Sequence, residues 1–232
     1  MTSWHCLLLV YTRLEVRMPK GFWSSQRFIH ELPPHETEEA ITSFQCFPAL
    51  VNDLTENQAG VEYDIVTCER PLTTLSRLGK GSWWPSPTDV LPEMEQYEVR
   101  SNYDSVFVHW PQHQFQTGTS VPSWGWGWGM GASDWSMGAT YATVANAKSF
   151  AWNIPLKGEV WLHEWLHGVC AHFAQQGHQM PDGDADGADR HGYVRSPTAG
   201  WTAYYRDLMN GRVLEDGQLT GIPSSAWKNP VS

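Results

Sequence analysis

The sequence predicts an α+β fold, a strand-rich part followed by one long buried helix. Runs of β-branched and aromatic residues recur through about residues 1–145, and a stretch that is apolar almost all round occupies 159–176. The 232 residues are 41% hydrophobic and 17% charged, which is apolar enough to bury a core and too apolar for a disordered chain. No internal repeat and no charged linker interrupts them. Residues 1–232 therefore read as a single domain: a sheet-rich half over about 1–145, a helix over 159–176, then a loop and a C-terminal helix within 177–232.

The elements follow in order. Cys6 to Val16 (CLLLVYTRLEV) starts as a continuous apolar run and becomes alternating, the pattern of a strand buried at its start. Pro33 and Pro34 lead into a helix over His35 to Thr55. Glu36, Glu38 and Glu39 crowd its first turn, where the helix dipole favours anions. Pro48 removes one hydrogen bond, so that helix should kink or split there. Val61 to Cys68 and Asp104 to Trp110 read as strands, Pro71 to Pro92 as loop, and Tyr141 to Val144 as a short strand. Glu159 to Gln176 is a helix with Gly177 as its stop, and a last helix is expected around Ala203 to Met209.

Composition narrows the partners. Fifteen Lys+Arg against 25 Asp+Glu give a net charge of −10, and the basic residues are scattered singly, so a phosphate backbone would be repelled. No nucleic-acid partner is expected. No apolar run approaches the ~20 residues a membrane helix needs. Cys6, Cys46, Cys68 and Cys170 form no CxxC pair, and a thiol in the 159–176 helix reads as a small buried hydrophobe. The abundance of Trp and scarcity of Lys lean toward a secreted protein. The apolar run Leu7 to Tyr11 is too short for a signal-peptide core, so the chain would be intracellular or already mature.

Ser123 to Gly131 (SWGWGWGMG) is the one low-complexity stretch. If extended, its alternate Trp side chains share a face and could form an aromatic platform for a sugar ring. The plainer expectation is a loop whose tryptophans plug the surface.

The chemistry lies in His163-Glu164-Trp165-Leu166-His167, an HExxH motif. Residues four apart share a helix face, so both imidazoles can address one metal ion. Glu164 is rotated aside, where it can act on a water in the ion's open position. The helix is apolar nearly all round and hence buried, and histidines and a carboxylate inside a buried helix must be satisfied by something. A metal would do so; hydrogen bonds from core histidines to backbone carbonyls would be the alternative.

The HExxH helix, preceded by strand, helix, strand, strand and a short strand, resembles the zincin metallopeptidases. That resemblance implies a zinc ion, an active-site helix beneath a twisted sheet, and an edge strand that pairs with an extended peptide substrate. Tyr141 to Val144 would be that edge. The third ligand departs from the family's known patterns. The metzincin HExxHxxGxxH places Gly and His where this chain has Cys170 and Phe173, and His172 is about 140° off the ligand face. The gluzincin type requires a later Glu, and none occurs between Glu164 and Glu215. A helix ending at Gln176 leaves the chain about 13 Å beyond His167, so at least about four residues are needed to return. The segment 180–193 (MPDGDADGADRHGY) arrives in time, and its 187–193 part is similar to the aspzincin ligand loop. Asp189 is placed slightly ahead of Asp186 as third ligand, with His191 behind them. Asp182, Asp184, Asp186 and Gly187 also read as the start of a DxDxDG loop, which suggests a structural Ca²⁺.

The expected activity is that of a zinc-dependent metallopeptidase acting on a protein or peptide substrate through a metal-activated water, with Glu164 as general base. Tyr193, ahead of Tyr204, Tyr205 and His191, is expected to stabilise the oxyanion. Met209 could floor the site or simply fill the core. Two alternatives share the motif: a glycan- or calcium-binding module with this fold and no peptidase activity, and a metal hydrolase of a non-peptide amide or ester.

Overall fold

The computed structural model describes residues 2–19, 23–78, 81–123, 125, 127–146, 156–228 and 230–231. In chain order the strands are β1 (Thr2–Tyr11), β2 (Arg13–Pro19), β3 (Ser25–Glu31), β4 (Ala59–Cys68), β5 (Ser76–Arg77), β6 (Trp83–Trp84), β7 (Ser105–Trp110), β8 (His113–Gln114), β9 (Thr119–Ser120), β10 (Gly127–Met130), β11 (Thr140–Ala145), β12 (Val213–Glu215) and β13 (Gln218–Thr220). The helices are α1 (Pro34–Phe44), α2 (Phe47–Leu54), α3 (Leu91–Gln96), α4 (Val99–Asn102), α5 (Glu159–Gln175) and α6 (Thr202–Leu208). The class is mixed α+β, as the sequence predicts.

The main sheet has five strands in the order β10-β11-β7-β1-β4. β4, β1, β7 and β11 run parallel, and β10 closes one edge antiparallel. The register sets Leu8 of β1 beside Ile65 and Phe107, Phe107 beside Ala142, and Ala142 beside Gly129. Parallel strands covered on both faces read as unbroken apolar runs, and every residue of β7 and β11 is buried. Trp4, Cys6, Leu8, Val10, Phe107, Ala142 and Val144 face one core with α1, α2, α5 and α6. Leu7, Leu9, Val106, Val108, Trp110 and Tyr141 face a second, closed by β2 and by Val90, Met94 and Val99.

Several expectations need correction. The run from Cys6 to Val16 is two strands. β1 ends at Tyr11, and β2 pairs with β3 as a hairpin over the second core. The change from a continuous to an alternating pattern marks this passage from two-sided to one-sided burial. The helix expected over His35 to Thr55 is split between α1 and α2, two residues before Pro48. Pro48 then lies in the first turn of α2, where its missing N–H costs nothing. The edge strand is not Tyr141 to Val144, which lies inside the sheet as part of β11. It is β10, taken from the Gly-Trp segment.

Among the described residues six tryptophans are fully buried in the core, and Trp23 and Trp135 are exposed. Trp4 packs edge-on to Trp165 at 5.3 Å, and Trp165 stacks on Trp227 at 5.9 Å. Indole N–H groups of Trp161 and Trp165 donate to the Ser43 and Ser105 hydroxyls, whereas that of Trp4 is buried with no hydrogen-bond partner among the described residues. Trp128 turns to the second core, against Tyr141 and Trp135. Trp124 and Trp126 lie outside the described residues. Cys170 is a buried thiol in α5 as expected, and burial pushes its pKa well up.

α5 crosses the first face beneath β10 and β11. A β-carbon at Gly129 would collide with the Glu164 carbonyl and reach His167 Cβ at 2.9 Å, and one at Gly168 would meet the Met130 carbonyl at 2.6 Å. Glycine on both surfaces lets strand and helix touch backbone to backbone. At the far end Gly177 adopts φ +92°. Its N–H donates to the Ala174 carbonyl at 3.0 Å and that of His178 to Phe173 at 3.1 Å, the paired bonds of a Schellman stop. Among the described residues no helix is long and apolar enough to cross a membrane.

Candidate metal centre

α5 carries His163, Glu164 and His167 to the floor of a cleft of about 540 Å³, with Gly127 and Gly129 of β10 above. After its stop the chain turns back through 177–183 and delivers the turn Asp184–Asp186 against α5. Asp186 then faces both rings, with Oδ1 3.4 Å from His163 Nε2 and Oδ2 3.8 Å from His167 Nε2. One donor atom from each residue lies within 4.8 Å of the other two, the one such grouping among the described residues.

The outer face of each ring is held. His167 Nδ1 donates to Asp184 Oδ1 at 2.6 Å, which leaves Nε2 to face Asp186. His163 Nδ1 is bonded to the Tyr205 hydroxyl of α6 at 2.9 Å. Asp184 is fixed in turn: the Ala185 N–H donates to its carboxylate and the Tyr204 hydroxyl to its carbonyl. It sits at φ +37°, where Asp is tolerated better than most residues. A β-carbon at Gly187 would meet the Asp182 carbonyl and the Tyr204 hydroxyl at 2.6 Å, so the turn requires its glycine.

Charge follows the geometry. Burial raises the pKa of Glu164, against the pull of His163 and His167. Its carboxyl lies where a β-carbon at Gly127 would fall. Asp186 is held below the usual carboxylate range by hydrogen bonding to His163. For His167, burial alone would lower the pKa, but the Asp184 hydrogen bond and charge outweigh it and the net shift is upward.

This donor set fits zinc. Two imidazole nitrogens and one carboxylate leave a fourth position open, the pattern of catalytic rather than structural sites. Bonds of about 2.0–2.1 Å at tetrahedral angles separate donors by about 3.3 Å. Asp186 approaches one ring through Oδ1 at 3.4 Å and the other through Oδ2 at 3.8 Å, and single donor atoms of the three residues lie within 4.8 Å of one another, so the donors would draw together slightly around an ion. Both imidazoles have the outer-face partner that ligand histidines need.

The sequence-derived candidates divide. His163, His167, Glu164 and Asp186 come together. Asp189, placed first, does not; it is exposed on the following turn, Ala188–His191. The Tyr193 hydroxyl donates to Asp207 at 2.6 Å and is not among the residues lining the cleft. His191 Nε2 is 3.1 Å from the Asp182 carbonyl, His172 bonds Gln176, and Met209 is buried in the core. The three carboxylates of the DxDxDG stretch do not converge on one point: Asp182 pairs with Arg190, Asp184 with His167 Nδ1, and Asp186 with the Nε2 atoms of His163 and His167. Sequence reasoning missed Asp184 and Tyr205 as ring partners, and it missed β10 as the roof. The alternation of glycines at 127, 129 and 131 was the available signal, since a strand bare on one face must lie against another backbone.

No known protein family, curated protein or solved structure matches this chain.

Proposed function

We propose that this chain is a zinc-dependent peptidase of the zincin type. The observation that carries the reading is the convergence of His163, His167 and Asp186, with the Glu164 carboxyl buried beside them under the edge strand. Zinc held there would supply Lewis acidity, lowering the pKa of water and polarising a carbonyl. Glu164 takes the proton of the attacking water on its carboxylate and hands it to the leaving amine. Burial raises its pKa, a shift that the charge of a bound cation would oppose. Asp184 and Tyr205 hold the two rings in orientation. β10 roofs the site and is the terminal strand of the sheet among the described residues, so an extended peptide can add to it by main-chain hydrogen bonds. That edge favours a peptide over a non-peptide amide or ester.

The test is metal content beside hydrolysis. The parent should bind about one zinc and cleave casein. His163→Ala should lose both. Glu164→Gln should retain zinc and lose activity by about 10²–10⁴-fold. Undiminished cleavage by Glu164→Gln would overturn the mechanism, and zinc retained by His163→Ala would overturn the site.

A further inference from the structure

The cleft continues past His163 to the first turn of α5, where Glu159 is buried with its side chain 4% exposed. Both of its oxygens are used. Oε2 accepts from Arg195 Nη2 at 3.0 Å and Oε1 from the Trp201 backbone N–H at 2.7 Å. The chain between these partners wraps tightly, and at Gly200, with φ +57°, a β-carbon would strike the Glu159 carboxylate. Arg195 is thereby anchored by one of its five N–H donors. Its side chain is 37% exposed, and it is the one Lys or Arg among the described residues that line the cleft. Glu159 has fixed this guanidinium at the wall, and the other donors have no partner among the described residues.

We infer that Arg195 is a carboxylate-binding group for the substrate. The inference rests on the peptidase reading and names its substrate class: peptides bearing a carboxylate, from an acidic side chain or from the chain terminus, within about two residues of the bond cleaved. Glu159 precedes His163 by one helical turn, a rise of about 6 Å, which an extended peptide covers in about two residues. A guanidinium presents a planar fork that matches a carboxylate in two parallel hydrogen bonds. The molecule as a whole repels anions at net charge −10, so recognition of a carboxylate requires such a local, fixed cation. Trp201 lines the cleft beside it and offers an apolar wall for the rest of the residue.

The experiment compares matched peptides on the zinc-loaded parent. One arm places Asp or Asn at each of the two positions on either side of the cleaved bond. The other ends the peptide one or two residues beyond that bond as free acid or as amide. The expected result is a preference of tenfold or more in kcat/KM for the carboxylate member in one arm, about 1.4 kcal/mol, and that arm identifies the source. Arg195→Lys, which keeps a cation for Glu159 but loses the fork, should lower the ratio several-fold, and Arg195→Gln should bring it near one. Equal rates for acid and amide in both arms would overturn the inference while leaving peptidase activity intact. Calorimetric binding of the same pairs to Glu164→Gln protein reads the preference without turnover. Tighter binding of the acids there supports Arg195 even if no peptide is cut, and equal binding overturns it.

Discussion

Asp186 and Asp189 are three residues apart in one acidic loop, and only their surroundings separate them. Asp186 ends the turn that lies against α5 and, although its side chain is 71% exposed, reaches within 3.4 Å of His163, whereas Asp189 lies on the next turn and outside that grouping. Asp186→Ala should therefore abolish tight zinc binding, and Asp189→Ala should leave it unchanged, as read by competition with a chromogenic chelator. Asp184→Asn should weaken affinity by about 10–100-fold, because it withdraws the carboxylate that orients His167. Zinc lost from Asp189→Ala and kept by Asp186→Ala would invert the assignment. The HExxH residues were legible because a helix fixes the i, i+4 relation by itself. The carboxylate that meets the two imidazoles was legible only as one of a set, since a loop's reach bounds which residues arrive but not which side chain turns toward them. That choice is made by Tyr204, by the Ala185 N–H and by the room at Gly187, contacts that no spacing rule encodes.

Among the elements, β10 depends most on the absence of side chains. Gly129 meets the Glu164 carbonyl and His167 Cβ, and overpacking of this kind typically costs 1–3 kcal/mol. Gly129→Ala should lower stability by about that amount and also weaken zinc binding, because the added methyl presses on the carrier of a ligand. Gly131→Ala, whose β-carbon would meet the Ala171 side chain at 3.0 Å, should cost less. Urea midpoints at equal slope decide this, and an undisturbed Gly129→Ala would mean that strand and helix are not in backbone contact. The elements most legible in the sequence had one unambiguous period: β4, β7, α5 and its Gly177 stop. β10 was hidden because its apolar residues alternate with glycine, which reads equally as loop. The β2–β3 hairpin was missed because β3 (SQRFIHE) buries only Phe28 and His30, too little to stand out from a loop.

For the molecule as a whole, acidification pulls in two directions. Repulsion within a chain of net charge −10 relaxes as pH falls toward the isoelectric point near 5.4, which by itself favours the folded state. His109 opposes this. It lies in β7 at the centre of the sheet, fully buried against Trp161, with Nδ1 donating to the Val144 carbonyl at 2.9 Å. Burial lowers its pKa from 6.5 to about 4. The unfolded chain therefore binds more protons between those values, so stability declines as pH drops through 6.5 and the decline ends below about 4. The full loss is about 3 kcal/mol, at 1.36 kcal/mol per unit. His109→Gln keeps an N–H donor and removes the titration. It should be less stable than the parent at pH 7.5, yet its urea midpoint should move less between pH 6.5 and 4.5. A parent and variant that lose stability in parallel across that window would show that the acid sensitivity resides elsewhere, in the carboxylates that clasp Arg70, Arg195 and the two imidazoles of the cleft.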